Sequence, residues 1–579
     1  MADFDRRSVL GAVSAGSLML AAGAGARPRQ FSVFTHGVAS GDPHADSLLL
    51  WTRAMGPGGA AVEGRWQVAT DRSFRRIVSE GDFATSAERD HVAKIVADGL
   101  RPGTEYWYRF RTAHDVSPTG RARTLPTGGT EKLDIALACC AMYMLGEFHA
   151  YRAIAERTDL DLVLFVGDYI YEYGANSFPT APDIRVPVPT HDTVTLADYR
   201  ARYAAWRADP ALQAAHARAP WICMWDDHEI ANDDWMGGAQ HHDPAKQGPW
   251  EDRKTAAVRA YLEWMPIRDP DPAHPYAVQR SFSFGDLATL ILPETRLEAR
   301  DAQLTLPHDL KVRMMDHADP AHPVPVTDPT ILATLDPKAL PARYRMEPDI
   351  AAFRAKLADP ARRMVGDEQL DWIRRETEAS VAKRQPWLLF GSPTIMGRYV
   401  YPDLDALVPA ASKARFEALQ PGASALYRMT GLGLPLFNLD SWDGYPAERQ
   451  RVYDIFEKSG ANVVVLSGDS HMAWLNELHD GERRVAVEVS TSTLTGPSMG
   501  SMLLFDEAAV GQHFVDENRD VAWCDHVAVG FVAVRVTRQG VEAEFVDIPG
   551  PRRAAFEARP GKRARAALTE RGVGGWTDA

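Results

Sequence analysis

The chain has 579 residues, more than one hydrophobic core usually organises, so two or more domains are expected. Its 45% hydrophobic content is that of a globular protein, and a net charge of -14 argues against nonspecific nucleic-acid binding as its main work, since that rests on Lys and Arg set against phosphate. Four cysteines, Cys139, Cys140, Cys223 and Cys524, are too few for a disulfide-built scaffold.

Arg6-Arg7 precedes an uncharged stretch from Ser8 to Ala26 that ends in the small-residue pattern Ala24-Gly25-Ala26. Residues 1–26 read as an export signal for the route that carries folded proteins. Richness in Gly and Ala and marginal length favour a cleaved leader over a membrane anchor. Residues 27–127 are strand-rich. Ser47–Arg53, Gly64–Ala69 and Glu105–Phe110 are short, aromatic and β-branched, with turn residues between them. Leu100 to Tyr108 is similar to the loop and strand where fibronectin type III domains place a tyrosine corner, so a small β-sandwich is expected. The run Gly37 to Pro43 reads as a structural turn.

After a Thr- and Gly-rich connection, Thr124 to Thr130, the pattern changes to α/β. Leu133–Ala138, Leu160–Val166, Ile222–Trp225, Trp387–Phe390 and Val463–Ser467 are buried-type strands, and Phe148 to Arg157 and Glu368 to Ala379 are amphipathic. One sheet with helices on its faces is expected from this order. The Pro- and Asp-rich region 317–350 reads as a surface insertion. Val527–Val536 and Val541–Ile548 flank Gly540 as a closing hairpin, and the basic stretch that follows, Arg552 to Arg565, reads as a solvated helix or loose tail.

The chemistry stands at the carboxyl ends of the strands, where open α/β sheets place ligands. The first strand ends in Cys139-Cys140, the second in Gly167-Asp168-Tyr169-Ile170-Tyr171, the third in Asp226-Asp227-His228-Glu229, and the late one in Gly468-Asp469-Ser470-His471. Singly, each has an ordinary explanation: Asp227 or Asp469 as a helix cap, Cys140 as an inert thiol, Tyr171 as core. Together they would bury several carboxylates without partners, which is costly, and metal binding is the better account. A tyrosine phenolate needs a strongly Lewis-acidic centre, which favours ferric iron, and a cysteine there would bind as thiolate. A second position surrounded by Asp oxygens suits calcium, magnesium or manganese.

These motifs, with Thr35 to Pro43 and Asp440-Ser441-Trp442-Asp443-Gly444-Tyr445, resemble the PhoD-type alkaline phosphatases, a branch of the metallophosphoesterase superfamily. The Asp168 to Tyr171 spacing also resembles the iron-binding motif of purple acid phosphatases. The resemblance implies a layered α/β phosphatase domain over 128–579, preceded by the fibronectin type III-like domain over 27–127. It implies that Cys140, Asp168, Tyr171 and His471 hold Fe3+, and that Asp168 bridges to Ca2+ also held by Asp227 and Asp469, with other divalent ions possible. Cys140 is chosen over Cys139 because the family's cysteine precedes a short segment ending in an aromatic, here Tyr143. His228 stands near the leaving group, and Asn232 and Arg296 are candidates for phosphate contact, with surface or structural roles open for both. Asp440 and Asp443 fit either a further calcium site or a turn.

The expected function is exported, metal-dependent hydrolysis of phosphate mono- or diesters. Its partners are then a phosphate ester and, through the signal, the export machinery, with no stable nucleic-acid partner. Bound cations would reconcile the negative chain with an anionic substrate. A phospholipid or nucleic-acid phosphodiesterase, or a surface binding protein with a degenerate phosphatase domain, are the alternatives.

Overall fold

Short strands that are apolar on both faces need cover on both sides, and most of this chain satisfies that need by stacking two sheets. The computed structural model describes residues 32–579 apart from 337–338, 437–438 and 508; the expected export signal, 1–26, lies outside the described residues. Residues Val33–Ala579 form one contact unit.

Near the amino end are β1 (Val38–Gly41), β2 (Leu48–Arg53), β3 (Glu63–Ala69), β4 (Ile77–Ala84), β5 (Val92–Ala97), β6 (Glu105–Arg111) and β7 (Gly120–Arg123). β1, β2 and β5 lie on one side and β4-β3-β6-β7 on the other, around Phe34, Leu48, Leu50, Trp66, Val68, Phe83, Tyr106, Tyr108 and Phe110. This is the expected small β-sandwich. Its tyrosine corner is present: the Tyr106 hydroxyl accepts from the Arg101 backbone N–H at 2.8 Å. The run expected as a turn is strand β1 up to Gly41, followed by Asp42 in the left-handed region (φ 37°). Gly41 is needed for a different reason, since a Cβ there would collide with the Pro266 carbonyl that packs against it.

The next strands are β8 (Lys132–Ala138), β9 (Leu162–Val166) and β10 (Trp221–Met224). They run parallel, and β10 meets β1 through Gly41 and Trp221, so the sandwich's face continues into a ten-stranded sheet. On the other edge β8 pairs antiparallel with Gly530–Thr537, which forms the expected hairpin with Gly540–Asp547.

The late strands do not join this sheet. Trp387–Gly391 and Val463–Ser467 belong to a separate seven-stranded sheet packed face to face with the first, which corrects the single-sheet expectation. Alternation makes the reason visible. Val464 and Leu466 point into the core between the sheets, whereas Val463 and Val465 point to the outer layer, against Leu370 and Ile373 of helix Gly366–Ala382 and Val452 and Phe456 of helix Pro446–Ser459. Helix His149–Glu156 covers the far face of the first sheet, where Tyr151 stacks on Phe165. The protein is thus a helix–sheet–sheet–helix α/β stack with a β-sandwich at its amino end.

The basic tail is also corrected. Arg559–Thr569 and Gly572–Asp578 are strands that extend the ten-stranded sheet, because Ala564 and Ala566 face the core while Arg563 and Arg565 alternate with them into solvent. Region 317–350 is a largely exposed excursion whose short strands form a separate three-stranded sheet with Val312–Asp316. Among the described residues no helix is long and apolar enough to cross a membrane.

Candidate active site

The carboxyl ends of β8, β9 and β10 face that of Val463–Ser467 across the gap between the sheets, and each chain turns sharply as it leaves its strand. Cys140, Asp168, Asp469 and His471 all have positive φ, between 54° and 67°, a conformation L-residues adopt at a cost when the surroundings hold them there. Part of that hold is Glu229. Its buried carboxylate accepts the backbone N–H of Asp168 (3.0 Å), Tyr169 and Asp226 (2.8 Å), locking the loops after β9 and β10 together. Burial pushes its carboxyl up to about 7 even though the three amides favour the ionised form.

Asp168 is the hub. Its Oδ2 accepts from the Tyr171 hydroxyl at 2.8 Å and lies 3.4 Å from Cys140 Sγ, and the Tyr171 oxygen is 3.1 Å from His471 Nε2. Four residues expected to share one ion therefore converge within hydrogen-bond reach of one another. Donor atoms also lie within 4.8 Å of one another in three further groups: Asp168, Asp227 and His228; Asp168, Asp226 and Asp469; and Asp227, Asp233 and Asp440. Cys139 points elsewhere, its Sγ 3.5 Å from the Ser492 carbonyl, and it packs against Gly468, where a Cβ would come within 2.5 Å of that sulfur.

The electrostatics of this cluster suit a cation. Burial, reinforced by neighbouring acids, pushes the Asp168 and Asp469 carboxyls, the Cys140 thiol and the Tyr171 hydroxyl well above their usual ranges. Asp168 Oδ1 and Asp227 Oδ1 are buried with no hydrogen-bond partner, a cost that a bound ion would remove. His471 is prepared in the manner of a ligand. Its Nδ1 lies 3.1 Å from the Pro497 carbonyl, which fixes a proton there, and burial lowers its pKa to about 4, leaving Nε2 with a free lone pair toward Tyr171. Hard oxygen donors, one imidazole, one phenol and one thiol fit the pair of ions expected from the sequence.

The remaining predicted residues separate. His228 sits at the rim, 9% exposed, its ring 4.2 Å from that of Tyr171. Asn232 is half-buried beside it, accepting from the Tyr173 hydroxyl at 2.8 Å and donating to Gln240. Arg296 is fully buried. Its guanidinium pairs with Asp226 and, at 2.7 Å, with Asp440, and lies 3.9 Å from Asp227 and Asp234, which is the placement of a structural counter-charge. Asp443 turns away into an ion pair with buried Arg449. Sequence reasoning assigned no role to Glu229, Glu172, Asp226 or His241. Glu229 and Asp226 lie inside a motif already singled out, so their signal was available; His241 lies in a loop without one.

Family models for the PhoD-like phosphatase and for the PhoD-like phosphatase N-terminal domain match residues 135–545 and 20–126. Alkaline phosphatase D of Bacillus subtilis (strain 168) is 32% identical over 535 residues, 89% of this chain and 78% of that protein. A solved structure described as that of PhoD superposes with a TM-score of 0.73 at 28% identity, covering 96% of this chain and 94% of the other.

Proposed function

The chain belongs to the PhoD-like phosphatase family and is a phosphatase, and from that premise we propose that it is an exported hydrolase of phosphate mono- or diesters that works with two cations bound between its sheets. Cys140, Asp168, Tyr171 and His471 would hold ferric iron, and Asp227 and Asp469, with Asp168 shared between the two, would hold calcium. Bound there, the ions supply Lewis-acid polarisation of the phosphoryl oxygens and a water of lowered pKa. The chain's own residues do the rest. The buried acids provide an anionic cradle, Arg296 keeps Asp226 and Asp440 ionised so that the cradle does not discharge by taking up protons, and Glu229 holds the backbone that presents Asp168. Asn232, whose amide is held by Tyr173 and Gln240 beside the site, would orient the phosphate through its remaining N–H. His228 delivers a proton to the departing oxygen.

The convergence of Cys140, Tyr171 and His471 on the single carboxylate of Asp168 carries this reading. Phenolate or thiolate bound to ferric iron gives a visible charge-transfer band, so purified protein should be coloured. Tyr171→Phe and Cys140→Ser should shift or abolish the band and reduce turnover, while Cys139→Ser leaves both in place. A band indifferent to Tyr171→Phe would overturn the iron assignment. A panel of mono- and diesters assigns the preferred ester. Export is supported by the paired arginines of the leader: Arg6→Lys with Arg7→Lys should retain the protein in the cytoplasm, and unchanged export would refute that route.

A further inference from the structure

Three segments at the rim of the site are tied together by one buried carboxylate that belongs to no donor group of the candidate metal centre, and a fourth joins through His241. Glu172, just after β9, is 0% exposed. Its Oε2 lies 2.7 Å from His228 Nδ1, and its Oε1 accepts the Asn232 backbone N–H at 2.9 Å and lies 2.8 Å from His241 Nδ1. His241, on the loop after hairpin Asp234–Ala239, places its other nitrogen 3.2 Å from Asp192 Oδ2, and Asp192 Oδ1 in turn accepts the Gly174 N–H at 2.8 Å. The chain His228–Glu172–His241–Asp192 thus runs from the site to solvent, where His241 and Asp192 are 29% and 34% exposed.

The chemistry of the contacts fixes what this chain can do. A carboxylate only accepts, so His228 must carry its proton on Nδ1 where it meets Glu172, and Nε2 is the nitrogen left to face the site. Free rotation of the imidazole would lose that orientation. Glu172 itself cannot turn, because both of its oxygens are engaged. Packing adds to the constraint, since the His228 ring contacts those of Tyr171, at 4.2 Å, and Tyr173, at 5.3 Å.

We propose that Glu172, held in place by His241, is a positioning residue that sets the tautomer and aim of His228 toward the leaving oxygen. The inference rests on the leaving-group role given to His228 above. The balance is simple: the Nε2–H bond breaks as the proton passes to the oxygen released from phosphorus, and the imidazole regains a proton from water in the next cycle.

The test compares two phosphoesters in the metal-loaded protein, one with an alkyl leaving group, which needs the proton, and one with p-nitrophenol, which scarcely does. His241→Asn and Glu172→Gln should each lower kcat for the alkyl ester by roughly 10-fold or more with little change in KM, and should affect the p-nitrophenyl ester far less. Bound metal, measured by elemental analysis, should be unchanged in His241→Asn. In a His228→Ala background the second substitution should cost nothing further, because its route of action is gone. Equal losses on both esters, or losses that add to that of His228→Ala, would overturn the positioning role. If His228→Ala alone leaves the alkyl ester untouched, the leaving-group role fails, and the inference falls with it. His241→Asn covers the case in which Glu172→Gln does not fold, since His241 is partly exposed and contributes only one of three donors to the carboxylate.

Discussion

At the residue scale, the site is organised by buried carboxylates that receive backbone amides. Glu229 takes three, so Glu229→Ala leaves three donors orphaned and frees the loops after β9 and β10. Each unmet donor costs about 1–3 kcal/mol, so a stability loss of about 3–9 kcal/mol in denaturant unfolding is expected, together with loss of bound metal. Unchanged stability with full metal would show that the amides find other partners. His241 gives a pH signature. Its hydrogen bonds to Asp192 and then Glu172 raise its pKa to about 9, above the ordinary value of 6.5. A raised folded-state pKa stabilises below the unfolded value and the benefit disappears as pH rises through the folded one. The parent's Tm should therefore fall relative to that of His241→Gln between about pH 6.5 and pH 9; parallel curves would contradict the pairing. These interactions explain why only part of the site was legible in the sequence. Asp168, Asp227 and His471 announce themselves as polar residues ending apolar strands, but the link from Glu172 to His241 joins residues that share no motif, and only folding brings them within 2.8 Å.

At the element scale, strand positions were readable and sheet membership was not. Leu133–Ala138 and Val463–Ser467 have the same buried, β-branched composition, and nothing in either run says that they lie in different sheets. The tail was misread for a related reason. Arg563-Ala564-Arg565-Ala566 has the alternation of a strand, but Ala and Arg are helix formers, and pairing with Gly540–Asp547 overrides that preference. The last strand is anchored as well, with Trp576 Nε1 donating to the Asn476 carbonyl at 3.0 Å. Ending the chain after Ile548 would expose Val541 and Ala543 and leave Gly540–Asp547 as an unpaired edge. Such a chain should show a lower Tm and concentration-dependent aggregation by light scattering, and a monodisperse protein of unchanged Tm would contradict this.

At the scale of the whole molecule, the sandwich is bound into the catalytic layers by more than a linker. Trp51 Nε1 donates to the Glu263 carbonyl at 2.9 Å, Trp264 Nε1 to Asp90 at 3.1 Å, and buried Asp42 accepts from the Arg268 N–H at 2.7 Å and from Arg280 at 2.8 Å. A chain of residues 128–579 would bare Trp264 and strip Arg280 of its acid. It should therefore express poorly or lack activity, whereas full activity would show that the sandwich is dispensable to the fold. The central claim, that hydrolysis depends on ions held around Asp168, is tested most directly by turnover of a chromogenic phosphoester in protein stripped of metal and verified by elemental analysis. Stripped protein should be inactive and should recover with calcium more readily than with zinc once iron is restored, because the second position offers oxygen donors. Full turnover by protein shown to contain no metal would contradict it.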